Sequence, residues 1–95
     1  MAYVTNRNPL RAMRFNGIPY NAPKEFCADC VAGVWTVQVA GLLLDVEESE
    51  IVRIEWDIES QGLVETFSGI FGVHKIHKNH DIVFISLDTV TRKAG

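Results

Sequence analysis

A chain of 95 residues, 47% hydrophobic and 22% charged with a formal net charge of -3, is long enough for one folded domain, residues 1–95, and too short for two. That apolar content excludes a disordered tail or linker. The longest uninterrupted apolar stretch, Leu42 to Leu44, falls far short of the ~20 residues a membrane-spanning helix needs. The first residues carry Arg7, Arg11 and Arg14 with no apolar run after them, unlike a secretory signal, so a cytoplasmic location is expected.

Charge is segregated along the chain. Residues 1–24 hold Arg7, Arg11, Arg14 and Lys24 and no acid. Between Asp45 and Glu65 the acids Asp45, Glu47, Glu48, Glu50, Glu55, Asp57, Glu59 and Glu65 face the single base Arg53. The last third turns basic again, with Lys75, Lys78, Arg92 and Lys93. An N-terminal segment of this kind contacts nucleic-acid phosphates, pairs with the acidic segment of its own or a neighbouring chain, or is merely solvated, and the last two readings are together favoured.

Taken in order, residues 1–23 read as an extended arm, because Asn8-Pro9, Asn16-Gly17, Ile18-Pro19 and Ala22-Pro23 interrupt any period; one short strand is expected around Met13–Phe15. Lys24–Val31 then reads as a brief helical turn starting near Asn21 and stopped by Gly33. Residues 34–91 form the β core. Trp35, Val37 and Val39 alternate with Thr36 and Gln38 as in a strand, and Leu42–Val46 continues the apolar character, with a helix over Ala40–Ser49 as the competing reading. Val52, Ile54, Trp56 and Ile58 alternate with Arg53, Glu55, Asp57 and Glu59 in the clearest strand of the chain. Ser60-Gln61-Gly62 is a hairpin connection. Leu63–Ile76 is a long strand in which Gly69 and Gly72 predict a bulge or bend. His77-Lys78-Asn79-His80 is a turn, Ile82–Leu87 the partner strand, and Thr89–Thr91 a short closing strand. The expected fold is therefore mainly β: a small antiparallel meander curling into a partial SH3- or Sm-like barrel, with an extended N-terminal arm and at most one short helix.

Val52-Arg53-Ile54-Glu55-Trp56, the turn at Gly62, Gly69-Ile70 and the final Ile82-Val83-Phe84-Ile85 follow an order that resembles the Sm-like and SH3-like small barrels, and more particularly the YolD-like family of bacterial and phage proteins. The resemblance covers residues 52–87, under half the chain, and the long amphipathic helix often found in that family is missing from the N-terminal half. It implies a non-enzymatic binding domain, bacterial or phage-encoded, and brings no catalytic residues with it.

Chemistry is sparse. Cys27-Ala28-Asp29-Cys30 has the spacing of half a zinc site, whose other ligands would be His77 and His80; the alternative is a pair of small buried thiols, reduced, beside Phe26 and Val31, and three surface histidines near a turn. No cofactor is expected if the second reading holds. No nucleophile elbow, phosphate loop or dinucleotide fingerprint occurs, and the acids of the clearest strand lie on its outer face, so the chain is not read as an enzyme. Trp35 and Trp56 fall on the apolar face and are expected in the core. Phe15 and Tyr20, among the arginines of the arm, either meet a partner or strap the open end of the barrel.

The leading functional expectation is a small adaptor that binds a protein, through exposed strand edges, the arm (Arg7, Arg11, Arg14, Phe15, Tyr20) or the acidic face (Glu55, Asp57, Glu59), with edge pairing also compatible with a homo-oligomer. The alternatives are a nucleic-acid-binding barrel that uses Arg7, Arg11, Arg14, Lys75 and Lys78, and a zinc-stabilised module.

Overall fold

A computed structural model describes residues 3–6, 10–20, 25–41, 44–78 and 80–94. These form nine strands and no helix: β1 (Tyr3–Asn6), β2 (Leu10–Phe15), β3 (Ile18–Tyr20), β4 (Glu25–Val31), β5 (Val34–Ala40), β6 (Ile51–Ser60), β7 (Leu63–Ile76), β8 (Ile82–Ser86) and β9 (Thr91–Ala94). All pairings are antiparallel, in the order β1-β4-β5-β8-β7-β6-β2-β3, with β9 paired to β7. Among the described residues no helix is long and apolar enough to cross a membrane.

The long strand β7 organises the molecule. One of its edges pairs with β6 from Leu63 to Gly72; the other is shared by β8, along Phe71–Ile76, and β9, along Glu65–Ser68. Between β8 and β9 the chain leaves the edge for residues 87–90 and then returns to it. The sheet curls so far that strands distant in its order meet across one core: Phe26 of β4 lies 5.9 Å from Trp56 of β6, and Phe15 of β2 lies 5.8 Å from Phe84 of β8. It ends at β1 and β3 and does not close into a barrel.

Alternation decides which side chains fill that core. In β6 the buried residues are Val52, Ile54, Trp56 and Ile58, as their period of two requires; β7 adds Phe67, Phe71 and Val73, and β8 adds Ile82 and Phe84. Leu44, Val46 and Val90 pack against them from irregular segments.

Several local expectations are corrected. The helical turn over Lys24–Val31 is instead strand β4 from Glu25, with Phe26 and Ala28 buried on one face; Lys24 lies outside the described residues. The N-terminal arm is part of the sheet, since β2 pairs along β6 and carries β3 with it, and the expected strand at Met13–Phe15 is the end of β2. Among the described residues between Ala40 and Ile51 there is neither strand nor helix: residues 44–47 are irregular and a turn closes at Glu50, whose N–H donates to the Glu47 carbonyl at 3.1 Å. Leu42 and Leu43 are outside the described residues. The closing strand begins at Thr91 instead of ending there. In β7 the register shifts between Val73 and Lys75, not at either glycine. Gly69 and Gly72 are extended positions where another side chain comes close: a Cβ on Gly69 would sit 2.9 Å from Val90 Cγ2, and one on Gly72 would sit 3.6 Å from the end of Leu87.

Three hairpins share one turn geometry. Asn16-Gly17, Ala32-Gly33 and Gln61-Gly62 have positive φ at both residues, the requirement of the two-residue type I′ connection. Alanine is poorly suited to its place, because a Cβ in the left-handed region costs about 1–2 kcal/mol that asparagine partly recovers. Ala32→Asn is therefore expected to raise the unfolding free energy by about 0.5–1 kcal/mol, read from the urea midpoint; an unchanged midpoint would show that the turn is not strained.

Candidate recognition surface

The charge segregation in the sequence has a local explanation. β2 lies antiparallel to β6, with Arg14 opposite Glu55 and Ala12 opposite Asp57, so the N-terminal arginines stand over the acids of β6. Arg14 donates two hydrogen bonds to Asp57, Nη2 to Oδ1 at 2.9 Å and Nη1 to Oδ2 at 3.1 Å, and its Nε lies 3.6 Å from Glu55 Oε1. Thr66, opposite Asp57 on β7, donates its hydroxyl to Oδ1 at 2.9 Å. Arg11 pairs with Glu59, and Arg53 lies 3.9 Å from Glu55. Of the expected contact residues, Arg11, Arg14, Glu55, Asp57 and Glu59 are therefore brought together, two arginines against three carboxylates, with Arg53 as the third cation beside them. Arg7 lies outside the described residues.

The hydrogen bonds from Arg14 hold the Asp57 carboxyl below the usual carboxylate range; burial opposes this, and the Thr66 hydroxyl and the charge of Arg14 reinforce it. The same bond pushes the Arg14 guanidinium above its ordinary value. A carboxyl with a depressed folded-state pKa contributes stability that is complete above its unfolded value, near ~3.9, and is lost as pH falls through the lower folded value. Asp57→Asn is expected to cost about 1–2 kcal/mol at pH 7. That difference should shrink once the pH is below both values, which urea unfolding of both proteins across the acid range would show; a constant difference would remove Asp57 from the pH dependence.

Phe15 is not a contact residue. It is 2% exposed, packed on Phe84 and edge-on to Tyr20 of β3 at 5.4 Å. Tyr20 is half-buried. Cys27 and Cys30, the candidate ligands of the zinc reading, are placed on opposite faces of one strand. Both lie on β4, and a step of three residues along a strand reverses the face: Cys30 shares the inward side with Phe26 and Ala28, whereas Cys27 lies with Asp29 on the other. His77 and His80 frame the β7–β8 turn, where the His80 N–H donates to the His77 carbonyl at 3.1 Å. β5 and β8 stand between that part of β7 and Cys27. Among the described residues no three histidines, cysteines or acids are placed to hold a metal ion.

The outer face of β6, β7 and β8 holds what the sequence reading missed. Gly72 is paired with Ile51 on one side and Ile85 on the other; Ile70 precedes it on the same face, and Leu87 leans over it. The Leu87 N–H donates to the Ile70 carbonyl at 2.8 Å, which fixes that lean. Ile51, Leu87 and Ile70 are 63%, 58% and 37% exposed, so four large aliphatic residues surround a position without a side chain and three of them are open to solvent. The signal was present in Ile51-Val52, Ile70-Phe71 and the unbroken Ile82–Ile85, where apolar residues occupy both faces of strands that have one solvated face.

Comparisons with protein-family models, with curated proteins and with solved structures each find no match to this chain.

Proposed function

We propose that this chain is a non-enzymatic protein-recognition domain that docks its partner on the apolar outer face around Gly72. The observation that carries the reading is the contiguity of Ile51, Ile70, Ile85 and Leu87 on the outer face, where the other outward positions of β6 are the charged Arg53, Glu55, Asp57 and Glu59. Two of the edge strands and the acidic face, among the other candidate surfaces, have less to offer. β3 is three residues long and contains Pro19, β9 carries Arg92 and Lys93, and the acids of β6 are engaged by arginines. Those same ion pairs support a non-catalytic reading, because a carboxyl held ionised below its usual range is the opposite of a general acid. The resemblance of residues 52–87 to Sm-like and SH3-like barrels implies the same kind of role.

Leu87 tests the reading. Its side chain is exposed, so Leu87→Glu should leave thermal unfolding unchanged while it places a charge at the centre of the proposed interface. Partner capture from a lysate of the source cell should then weaken by about 2 kcal/mol, roughly thirtyfold, with crosslinks from the wild-type chain mapping to Ile51, Ile70 and Leu87. Equal capture by both proteins would refute the assignment.

A further inference from the structure

The apolar outer face reaches beyond the surroundings of Gly72. Pairing aligns Asp29, Thr36, Ile85, Gly72 and Ile51 in one row across β4, β5, β8, β7 and β6. Two residues along each strand, the next outward row holds Val31 paired with Val34, then Leu87, then Ile70 paired with Arg53. The Trp35 N–H donates to Ser86 Oγ at 2.8 Å, which keeps β5 beside β8 up to this second row. Five of the seven large hydrophobic side chains exposed among the described residues, Val31, Val34, Ile51, Ile70 and Leu87, therefore share one face. Ile18 and Leu63 are the other two, each at the start of a strand that follows a hairpin turn.

The border of this face is acidic. Asp88 follows Leu87, Glu50 precedes Ile51, and Glu47 shares the turn with Glu50; all three are exposed and have no ion-pair partner among the described residues. Half-buried Asp29 closes the first row at β4, and its Oδ1 is shut off from water with no hydrogen-bond donor among the described residues. The cations are fewer. Arg53 closes the second row at β6 but lies 3.9 Å from Glu55, and Lys75, opposite Val83 in the next row, is the one lysine at the border.

We propose, resting on the reading of this face as a docking surface, that its occupant is a basic amphipathic segment of another protein, with aliphatic side chains on the two rows and lysines or arginines against Asp88, Glu50 and Glu47. Charge selects among the occupants. A second copy of the chain would set two acidic borders against each other, and like charges brought together suppress association. The negative surface of an anionic bilayer is repelled by the same border. A basic segment is steered toward the face before contact and buries the aliphatic rows after it. It also brings donors to a carboxylate, Asp29, that has one oxygen without any.

The test is fluorescence anisotropy of two labelled synthetic amphipathic peptides titrated with the full chain, one of leucine and lysine, the other with glutamate in place of lysine. At about 50 mM salt the lysine peptide should bind about tenfold more tightly than the glutamate peptide, and it should weaken several-fold by about 200 mM. Glu50→Gln/Asp88→Asn should lose about fivefold for the lysine peptide, whereas Glu25→Gln/Asp81→Asn, which removes two acids at the opposite ends of β4 and β8, should stay within about twofold. Ile51→Ala/Leu87→Ala, which leaves the charge unchanged, should lose about tenfold. Circular dichroism melts establish that all the variants are folded. No binding of the lysine peptide at the lower salt, equal binding of the two peptides, or binding unchanged in Glu50→Gln/Asp88→Asn would each overturn the basic partner, while the docking face itself stands or falls on Leu87→Glu in the capture experiment. Peptide binding unchanged in Ile51→Ala/Leu87→Ala would place the basic segment elsewhere on the chain. A wild-type dimer in sedimentation velocity that the same alanine pair dissociates would make the occupant a second copy and overturn the proposal.

Discussion

Replacing Trp56 with alanine is expected to cost about 3–5 kcal/mol, a large share of the ~5–15 kcal/mol that holds a domain of this size together. Trp56 is 0% exposed, and its ring lies nearly parallel to that of Phe67 at 5.2 Å. Phe26, Trp35 and Phe71 surround the pair with centroids 5.8–6.0 Å from the indole, so β4, β5, β6 and β7 all meet there. Truncation leaves a cavity that four strands would have to collapse together to fill. Trp56→Phe should be much milder, about 1–2 kcal/mol, because the indole N–H has no acceptor among the described residues and its removal breaks no hydrogen bond. Chemical denaturation of the two variants gives both values; equal losses would mean that the indole N–H is satisfied in solution.

Gly69→Ala is the second large effect, about 1–3 kcal/mol from a single added methyl. It would sit 2.9 Å from Val90 Cγ2 and 3.2 Å from Phe71 Cε1, so a neighbour must shift: Phe71 is buried among the core aromatics, and half-buried Val90 packs against the core from the excursion between β8 and β9. The clash predicts its own remedy. Val90→Ala frees the nearer contact, so the double variant should be more stable than the sum of the two single losses allows, by about 1 kcal/mol in a double-mutant cycle. Gly72→Ala is the internal control, since its methyl would make only ordinary contact with Leu87 at 3.6 Å. Strict additivity at Gly69 and Val90 would place the strain elsewhere.

What was legible in the sequence follows from range. β6 shows itself through Val52, Ile54, Trp56 and Ile58, and its hairpin with β7 through Gln61-Gly62, because both features are local. β2 and β4 are harder to read. The place of β2 in the sheet is created by pairing of Arg14 with Glu55 and Phe15 with Ile54, partners far away in the chain, while Asn16-Gly17 reads as an interruption until a strand is known to lie on each side of it. β4 presents the small residues Ala28 and Cys30 where a strand signal needs bulk, and its boundaries near Pro23 and Gly33 imitate those of a helix. The recognition surface was hidden for a related reason. Adjacent apolar residues such as Ile70 and Phe71 do not say which of them faces inward; the register across β6, β7 and β8 does.

The division of β7 between local and distant partners has a kinetic consequence. Hairpins joined by two-residue turns, β2–β3, β4–β5 and β6–β7, close on the microsecond scale, ~1–10 μs. Joining Thr36 to Ile85 and Arg14 to Glu55 closes much longer loops, and chains dominated by such pairings fold in roughly milliseconds to seconds. The hairpins should therefore exist before the sheet does, and the docking of β5 on β8 and of β2 on β6 should set the folding rate. Until that docking is complete, the inner faces of β4, β6 and β7 stay in water, and this is the interval in which the protein is most exposed to aggregation.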